Sequence, residues 1–328
     1  MSSPEHAFQE LANIFASRDN KVLEIEIIPP SLGAAFLQDG CAIGTTKKTL
    51  IQAYTVARQL FFDRLQPMTE DDLKAIHQSD TVITEIMLLF DCEHLTACNW
   101  RKRRLCTAMA SSVAATTLLL FQTELTLMSS YQCSPLHRHT KSPTLWHHRL
   151  WVLGHLLRMQ TWSTPELLSL QRSELDVVLR AGELHPKNYY AFSYMRQLGV
   201  VLTDAAEDED WNTESARSVV DRVIDWCLAN PRDISGWSFA VHVLEDIPSE
   251  DIQVQALGKV TRFALSVGWE GESLWTFVAQ AASQFGLEDT VNAIMIPLGR
   301  NVSAQGSQKR WHTWLGLARA YWAQNGNG

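Results

Sequence analysis

Three cations hold the same place relative to an aromatic residue in this 328-residue chain. Lys141, Lys187 and Arg232 each stand five positions before Trp146, Phe192 and Trp237. Cations repeated at one register make a basic line along one edge. An earlier copy, anchored at Cys98, carries Glu93 at that place instead. Other chemistry-bearing sets are weaker. Cys133, His137 and His139 offer metal-capable atoms, but no second pair stands at zinc-ligand spacing. Gly44-Thr45-Thr46-Lys47-Lys48-Thr49 has the composition of a phosphate loop and breaks the GxxxxGK spacing. The densest basic run, Arg101 to Arg104, reads as a helix end whose cations favour solvent and the macrodipole.

The elements that must position these residues are helical pairs. Thr-Ala-Cys98-Asn-Trp-Arg101, Pro-Thr-Leu-Trp146-His-His-Arg149, Lys187-Asn-Tyr189-Tyr190-Ala-Phe192 and Asp233-Ile-Ser-Gly-Trp237 recur at steps of 48, 46 and 45 residues. Each step accommodates two antiparallel helices and their turns, which predicts an all-α solenoid of helical hairpins. Trp146, Leu150, Leu153 and Leu157 form one apolar stripe. Ser163-Thr164-Pro165-Glu166 starts a helix that runs to about Leu184, where His185-Pro186 stops it. Val220, Val223, Ile224 and Cys227 mark a further core-facing stripe, closed by Asn230-Pro231. Asp204 to Asp210 reads as a solvated acidic loop.

Residues 1–45 are less regular and read as an N-terminal arm or cap. A helix around Ala7 to Ala16 gives way to an extended segment, Val22 to Ile28, that Pro29-Pro30 ends. Residues 46–328 form the helical repeat domain, with the clearest copies in about 88–245. Leu274-Trp275 and Trp311 to Trp322 lack the preceding cation and the Asp or Asn, and read as degenerate or capping units.

With 46% apolar residues and 12 Trp, the chain has the material for a sizeable core. A net charge of −8 argues against a nucleic-acid footprint. Six cysteines without a CxxC pair, and an N-terminus without a charged-then-apolar leader, fit reduced thiols and a cytoplasmic location. Cys106 to Phe121 is too short and too rich in hydroxyls to span a bilayer and reads as a buried, small-residue helix. The terminal Asn-Gly-Asn-Gly lacks a lipidation cysteine.

The four motifs together resemble the repeat of protein prenyltransferase α subunits, roughly Pro-Lys-Asn-Tyr-x-x-Trp-x-x-Arg at the head of the second helix of each pair. Pro186-Lys187-Asn188-Tyr189-Tyr190-Ala191-Phe192 is the nearest copy, and Trp146-His147-His148-Arg149 carries the other half. Cys98 and Phe192 replace two tryptophans, while Met195 and Ala240 occupy arginine positions. That divergence, with Leu23-Glu-Ile-Glu-Ile-Ile-Pro29 and Leu88-Leu-Phe-Asp91, is similar to the α-subunit repeat-containing branch associated with geranylgeranyltransferase type III.

The resemblance implies a right-handed α-α superhelix, a crescent of hairpins wrapped around a partner β subunit that carries the catalytic zinc, with no cofactor in this chain. The heterodimer would transfer an isoprenoid, geranylgeranyl on this reading, from its diphosphate to the C-terminal cysteine of an acceptor protein. By motif position the catalytic lysine maps onto Lys187. Lys141, Tyr189, Tyr190 and Arg232 map onto a substrate edge, against the alternative of solvated turn cations and packed rings. Cys98, Arg101, Trp146, Arg149, Phe192 and Trp237 map onto the structural repeat, with Arg149 tethering a neighbouring turn. The alternative function is a non-catalytic helical scaffold that binds a protein partner.

Overall fold

The computed structural model describes residues 3–65, 78–111, 113–206, 208, 210–299 and 310–325. Among these are fourteen helices and one small sheet. The chain divides into two compact units, Met1–Trp162 with Arg180–Ala205, and Ser163–Leu179 with Ala206–Gly328.

In the first unit, helix α1 (Pro4–Ala16) starts at a Ser3 cap and buries Ala7, Leu11, Ile14 and Phe15. Strands β1 (Glu24–Ile28), β2 (Phe36–Asp39) and β3 (Ala42–Thr46) make a sheet of order β1-β3-β2. The β1 and β3 strands are parallel, with Ile25 opposite Ile43, and β2 is antiparallel to β3. Helix α2 (Lys47–Leu60) follows and ends in a wider turn, Phe61–Leu65. The hairpin helices are α3 (Gln78–Phe90), α4 (Leu95–Ser111), α5 (Ala114–Gln132) and α6 (Pro143–Arg158). Helix α7 (Thr164–Leu184) contributes its last turn, and α8 (Tyr189–Ala205) closes this unit.

The expected extended segment is therefore a strand, and it is fastened to the hairpins. The backbone N–H of Leu23 donates to Ser130 Oγ at 2.9 Å and that of Ile25 to Ser134 Oγ at 2.7 Å, both on or just after α5. These hydroxyls satisfy amides that a sheet edge leaves unpaired. Ile25 and Ile43 then join Leu11, Phe15, Phe61 and Trp100 in one buried cluster.

In the second unit, α9 (Trp211–Ala229) and α10 (Ile234–Glu245) form one hairpin. Helices α11 (Glu250–Val267) and α12 (Glu272–Phe285) form the next, followed by α13 (Glu288–Gly299) and α14 (Arg310–Asn325). Contacts run in two layers, α9 on α11 and α11 on α13 in one, α10 on α12 and α12 on α14 in the other. That is the stacking by which a helical repeat covers each apolar face with its neighbour. In the first unit α4 packs on α6 and α6 on α8 in the same way. A Cβ on Gly236 would lie 2.5 Å from the Trp226 ring, so the glycine is what lets α10 approach α9 so closely.

Helix α7 starts where the sequence predicts, but the capping side chain is Glu166 rather than the Ser163 hydroxyl. The Glu166 carboxylate accepts from both the backbone N–H and the hydroxyl of Ser163, at 2.8 and 2.6 Å. Two expectations are corrected. Cys106 to Phe121 is the end of α4 and the start of α5, with Val113 at their junction 74% exposed, because its hydroxyls and small residues suit a turn better than a continuous core helix. The Arg101–Arg104 run lies in the body of α4 rather than at its end, and Arg101 is buried. No helix among the described residues is long and apolar enough to cross a membrane.

Candidate functional site

The repeat turns are built by a cap four residues before each anchor. His94 Nδ1 accepts from the Ala97 N–H at 3.2 Å, and Ser142 Oγ from Leu145 at 3.1 Å. Asn188 Oδ1 accepts from Ala191 at 3.2 Å, and Asp233 Oδ1 from Gly236 at 3.2 Å. Four different side chains thus satisfy the same free amide of a helix start. In the first unit the cap also reaches the preceding turn. Ser142 Oγ donates to the Cys92 carbonyl at 3.0 Å, and Asn188 Nδ2 to the Thr140 carbonyl at 2.7 Å. Both acceptors lie six residues before an anchor, so each turn is sewn to the next at the same register.

The anchors Cys98, Trp146, Phe192 and Trp237 are all buried. Trp146 Nε1 donates to the Thr140 carbonyl at 2.8 Å, and Trp237 Nε1 to the Pro231 carbonyl at 3.1 Å. Trp275 makes the same bond, to the Trp269 carbonyl at 2.9 Å, so it is a full structural copy although Glu270 and Gly271 replace the cation and the cap. Two positions after each anchor stands Trp100, His148, Tyr194, Phe239 or Phe277, all buried. Trp146 meets Tyr194 with ring centroids 5.0 Å apart, and Trp237 meets Phe277 at 4.8 Å. Such ring contacts between successive copies hold the stack together. Burial pushes the Cys98 thiol up to about 12, so it is an anchor and no nucleophile.

The two repeat arginines are internal. Arg101 makes a bidentate pair with Glu124, at 2.7 and 2.6 Å, donates to Thr84 Oγ1 at 2.8 Å, and lies 3.6 Å from Glu85. Arg18 closes this chain on Glu85 at 2.6 Å, and His148 Nε2 meets Glu124 at 2.7 Å. Burial pushes the Glu124 carboxyl up, yet Arg101 and His148 outweigh it and hold it well below the usual carboxylate range. Sequence reasoning missed this network, because its partners lie up to 67 residues apart. Arg149 Nη1 donates to the Leu125 carbonyl, Ser129 Oγ and Gln132 Oε1, all on α5. These bonds tie Arg149, in the second turn of α6, to the body of a neighbouring helix.

The candidate substrate residues sit differently. Lys187 is exposed and has φ +61°, the left-handed region that a residue with a Cβ seldom adopts. Asn188 beside it is fully buried, while Tyr189 and Tyr190 are 59% and 50% exposed. Lys141 Nζ donates to the Pro186 carbonyl at 3.2 Å, and Thr140 Oγ1 meets His185 Nδ1 at 3.1 Å. The Lys141 and Lys187 turns are thus adjacent, as the basic line requires, with Lys141 engaged in joining them. Burial, then Lys141 and His137, lower the pKa of His185. Arg232 belongs to the second unit, where its guanidinium lies over the Trp269 ring at 5.8 Å. The Glu93 carboxylate accepts from Thr144 Oγ1.

His139 turns its Nε2 to the Leu88 carbonyl at 2.9 Å and so does not converge with Cys133 and His137. Among the described residues no three His, Cys, Asp or Glu side chains gather as metal ligands.

Residues 172–198 match the protein prenyltransferase alpha subunit repeat. The match runs from within α7, through the turn that holds Lys187, into α8. No match was found among the curated proteins. The chain is thus a helical-hairpin protein with a repeat of the prenyltransferase α-subunit type.

Proposed function

We propose that this chain is the α-type subunit of a heterodimeric protein prenyltransferase. It assists a zinc-bearing β subunit in moving an isoprenoid, geranylgeranyl on the branch resemblance, from its diphosphate to the C-terminal cysteine of an acceptor protein. The observation that carries this reading is the coincidence of the repeat match with an exposed lysine at the motif's catalytic position. As the carbon–oxygen bond to the diphosphate breaks, negative charge gathers on the leaving group. The Lys187 ammonium donates hydrogen bonds to its oxygens and stabilises that charge. Tyr189 and Tyr190, one side exposed, supply hydroxyl donors and ring area for the substrate or partner beside it. Lys141 acts by holding the Pro186 carbonyl and with it the position of the Lys187 turn. Arg232 is the corresponding exposed cation of the second unit. The zinc, held by the partner, supplies the thiolate form of the acceptor cysteine.

The test is co-expression with a geranylgeranyltransferase β subunit. A stable heterodimer that transfers geranylgeranyl from its diphosphate is expected, and Lys187→Ala should leave assembly intact and lower turnover by about a hundredfold. Absence of both heterodimer and transfer refutes the proposal. Assembly with unchanged turnover in Lys187→Ala removes the catalytic role and leaves a helical scaffold.

A further inference from the structure

The basic run in α4 has one member that neither the repeat nor the proposed catalysis uses. Arg104 lies one helical turn beyond Arg101 on the same side of α4, and both line a cavity of about 550 Å³ in the first unit. The inner wall is the buried network, where Arg18 is matched by Glu85 and Arg101 by Glu124. Arg104 is half-buried, and no carboxylate lies within ion-pair distance of it among the described residues. The remaining carboxylate on the wall, Asp19, is exposed and makes no ion pair with it. Leu119 and Leu120, on the α5 turns before Glu124, complete the lining with apolar surface.

A half-buried cation without a carboxylate in direct contact is costly, and proteins pair such groups. Burial first, and Arg101 second, make the protonated form of Arg104 harder to hold than that of a free arginine, and the more distant Glu124 and Glu85 offset this only in part. The two buried carboxylates cannot swing to it, because each is already committed to a nearer cation at 2.6 Å. An incoming anion supplies what is missing. The guanidinium fork matches a carboxylate or phosphate with two parallel hydrogen bonds. The volume is that of a small-molecule site, and the leucines give an apolar body somewhere to rest.

We infer that this cavity binds a small amphipathic organic anion, its carboxylate or phosphate on Arg104 and its apolar part against Leu119 and Leu120. The site is independent of prenyl transfer, since none of its residues belongs to the Lys187 turn.

Calorimetric titration of the full chain with benzoate and with phenyl phosphate tests it, with benzyl alcohol as the uncharged counterpart. At least one anion should bind saturably, and benzyl alcohol at least tenfold more weakly. Arg104→Gln should weaken the anion by about tenfold or more, the value of a charge-assisted pair, while Arg103→Gln, outside the cavity, should not. Thr123→Phe, which fills the cavity without touching the charges, should also abolish binding, so the inference stays testable if Arg104→Gln folds poorly. No saturable binding of either anion overturns it. So does anion binding that survives Arg104→Gln or Thr123→Phe unchanged.

Discussion

Replacing Asn188 with alanine isolates what the repeat turn contributes to stability. The side chain is fully buried and makes two good bonds, accepting from the Ala191 N–H at 3.2 Å and donating to the Thr140 carbonyl at 2.7 Å. Loss of the cap costs about 1 kcal/mol in an ordinary helix. Ala191 is itself buried, so its amide is left without water and the cost rises toward the ~2 kcal/mol of an unsatisfied buried donor. The Thr140 carbonyl keeps the Trp146 indole as a partner at 2.8 Å, so that loss is only the net value of a hydrogen bond, about 1 kcal/mol. The sum is roughly 3 kcal/mol. Asn188→Ser keeps an acceptor for the cap but falls short of Thr140, and should cost about 1 kcal/mol. Asn188→Asp keeps the cap and turns a buried carboxylate toward a carbonyl, so it should be no better than alanine. Urea unfolding gives the three values, and hydrogen exchange at the Ala191 amide and the Trp146 indole locates them. A cost below about 1 kcal/mol for alanine, or equal costs for serine and alanine, would refute the double role of Asn188.

Lys187→Gly removes the Cβ from a residue at φ +61° and should leave thermal stability equal or higher by a few tenths of a kcal/mol, whereas a position held for stability would lose about 1 kcal/mol. Calorimetric melting of the isolated chain decides this without any partner. Burial holds His139 down to about 4, against 6.5 in an open chain, so between these values the unfolded state binds the extra proton. Its contribution is complete above about pH 6.5 and is lost as pH falls to about 4, roughly 3 kcal/mol in all. Buried His148, lowered mainly by burial, adds in the same direction. His139→Gln, which keeps a donor for Leu88, should flatten the urea stability between pH 6.5 and 4; an unchanged slope would assign the acid sensitivity elsewhere.

What the sequence made legible was the part of the repeat fixed by volume. Trp146, Phe192 and Trp237 recur because a large ring must fill the same gap between hairpins, and size is readable from residue type. The cap column was half legible. Asn188 and Asp233 look alike on paper, but His94 and Ser142 do the same work, since an imidazole nitrogen and a hydroxyl both accept from a helix amide. Trp275 was hidden for the converse reason, its flanking letters lost while its indole bond persisted. The pairs Arg18–Glu85 and Arg101–Glu124 were not legible at all, because 67 and 23 residues separate partners that only tertiary packing brings together. The left-handed backbone of Lys187 was equally invisible, since lysine does not encode it.

That last feature bears on where function can reside. In the stretch His185 to Phe192, His185 meets Thr140, the Pro186 carbonyl receives Lys141, Asn188 caps α8, and Ala191 and Phe192 are buried. Structural duty accounts for these residues, and glycine would fit the left-handed position at lower cost than lysine. A lysine there is set between a buried asparagine on one side and a fastened carbonyl on the other, which fixes where its side chain departs from the turn. The left-handed backbone at Lys187 is thus a strain of about 1 kcal/mol at one exposed position, with two exposed tyrosines following, and the Lys187→Gly and Lys187→Ala measurements separate its cost to the fold from any effect on transfer.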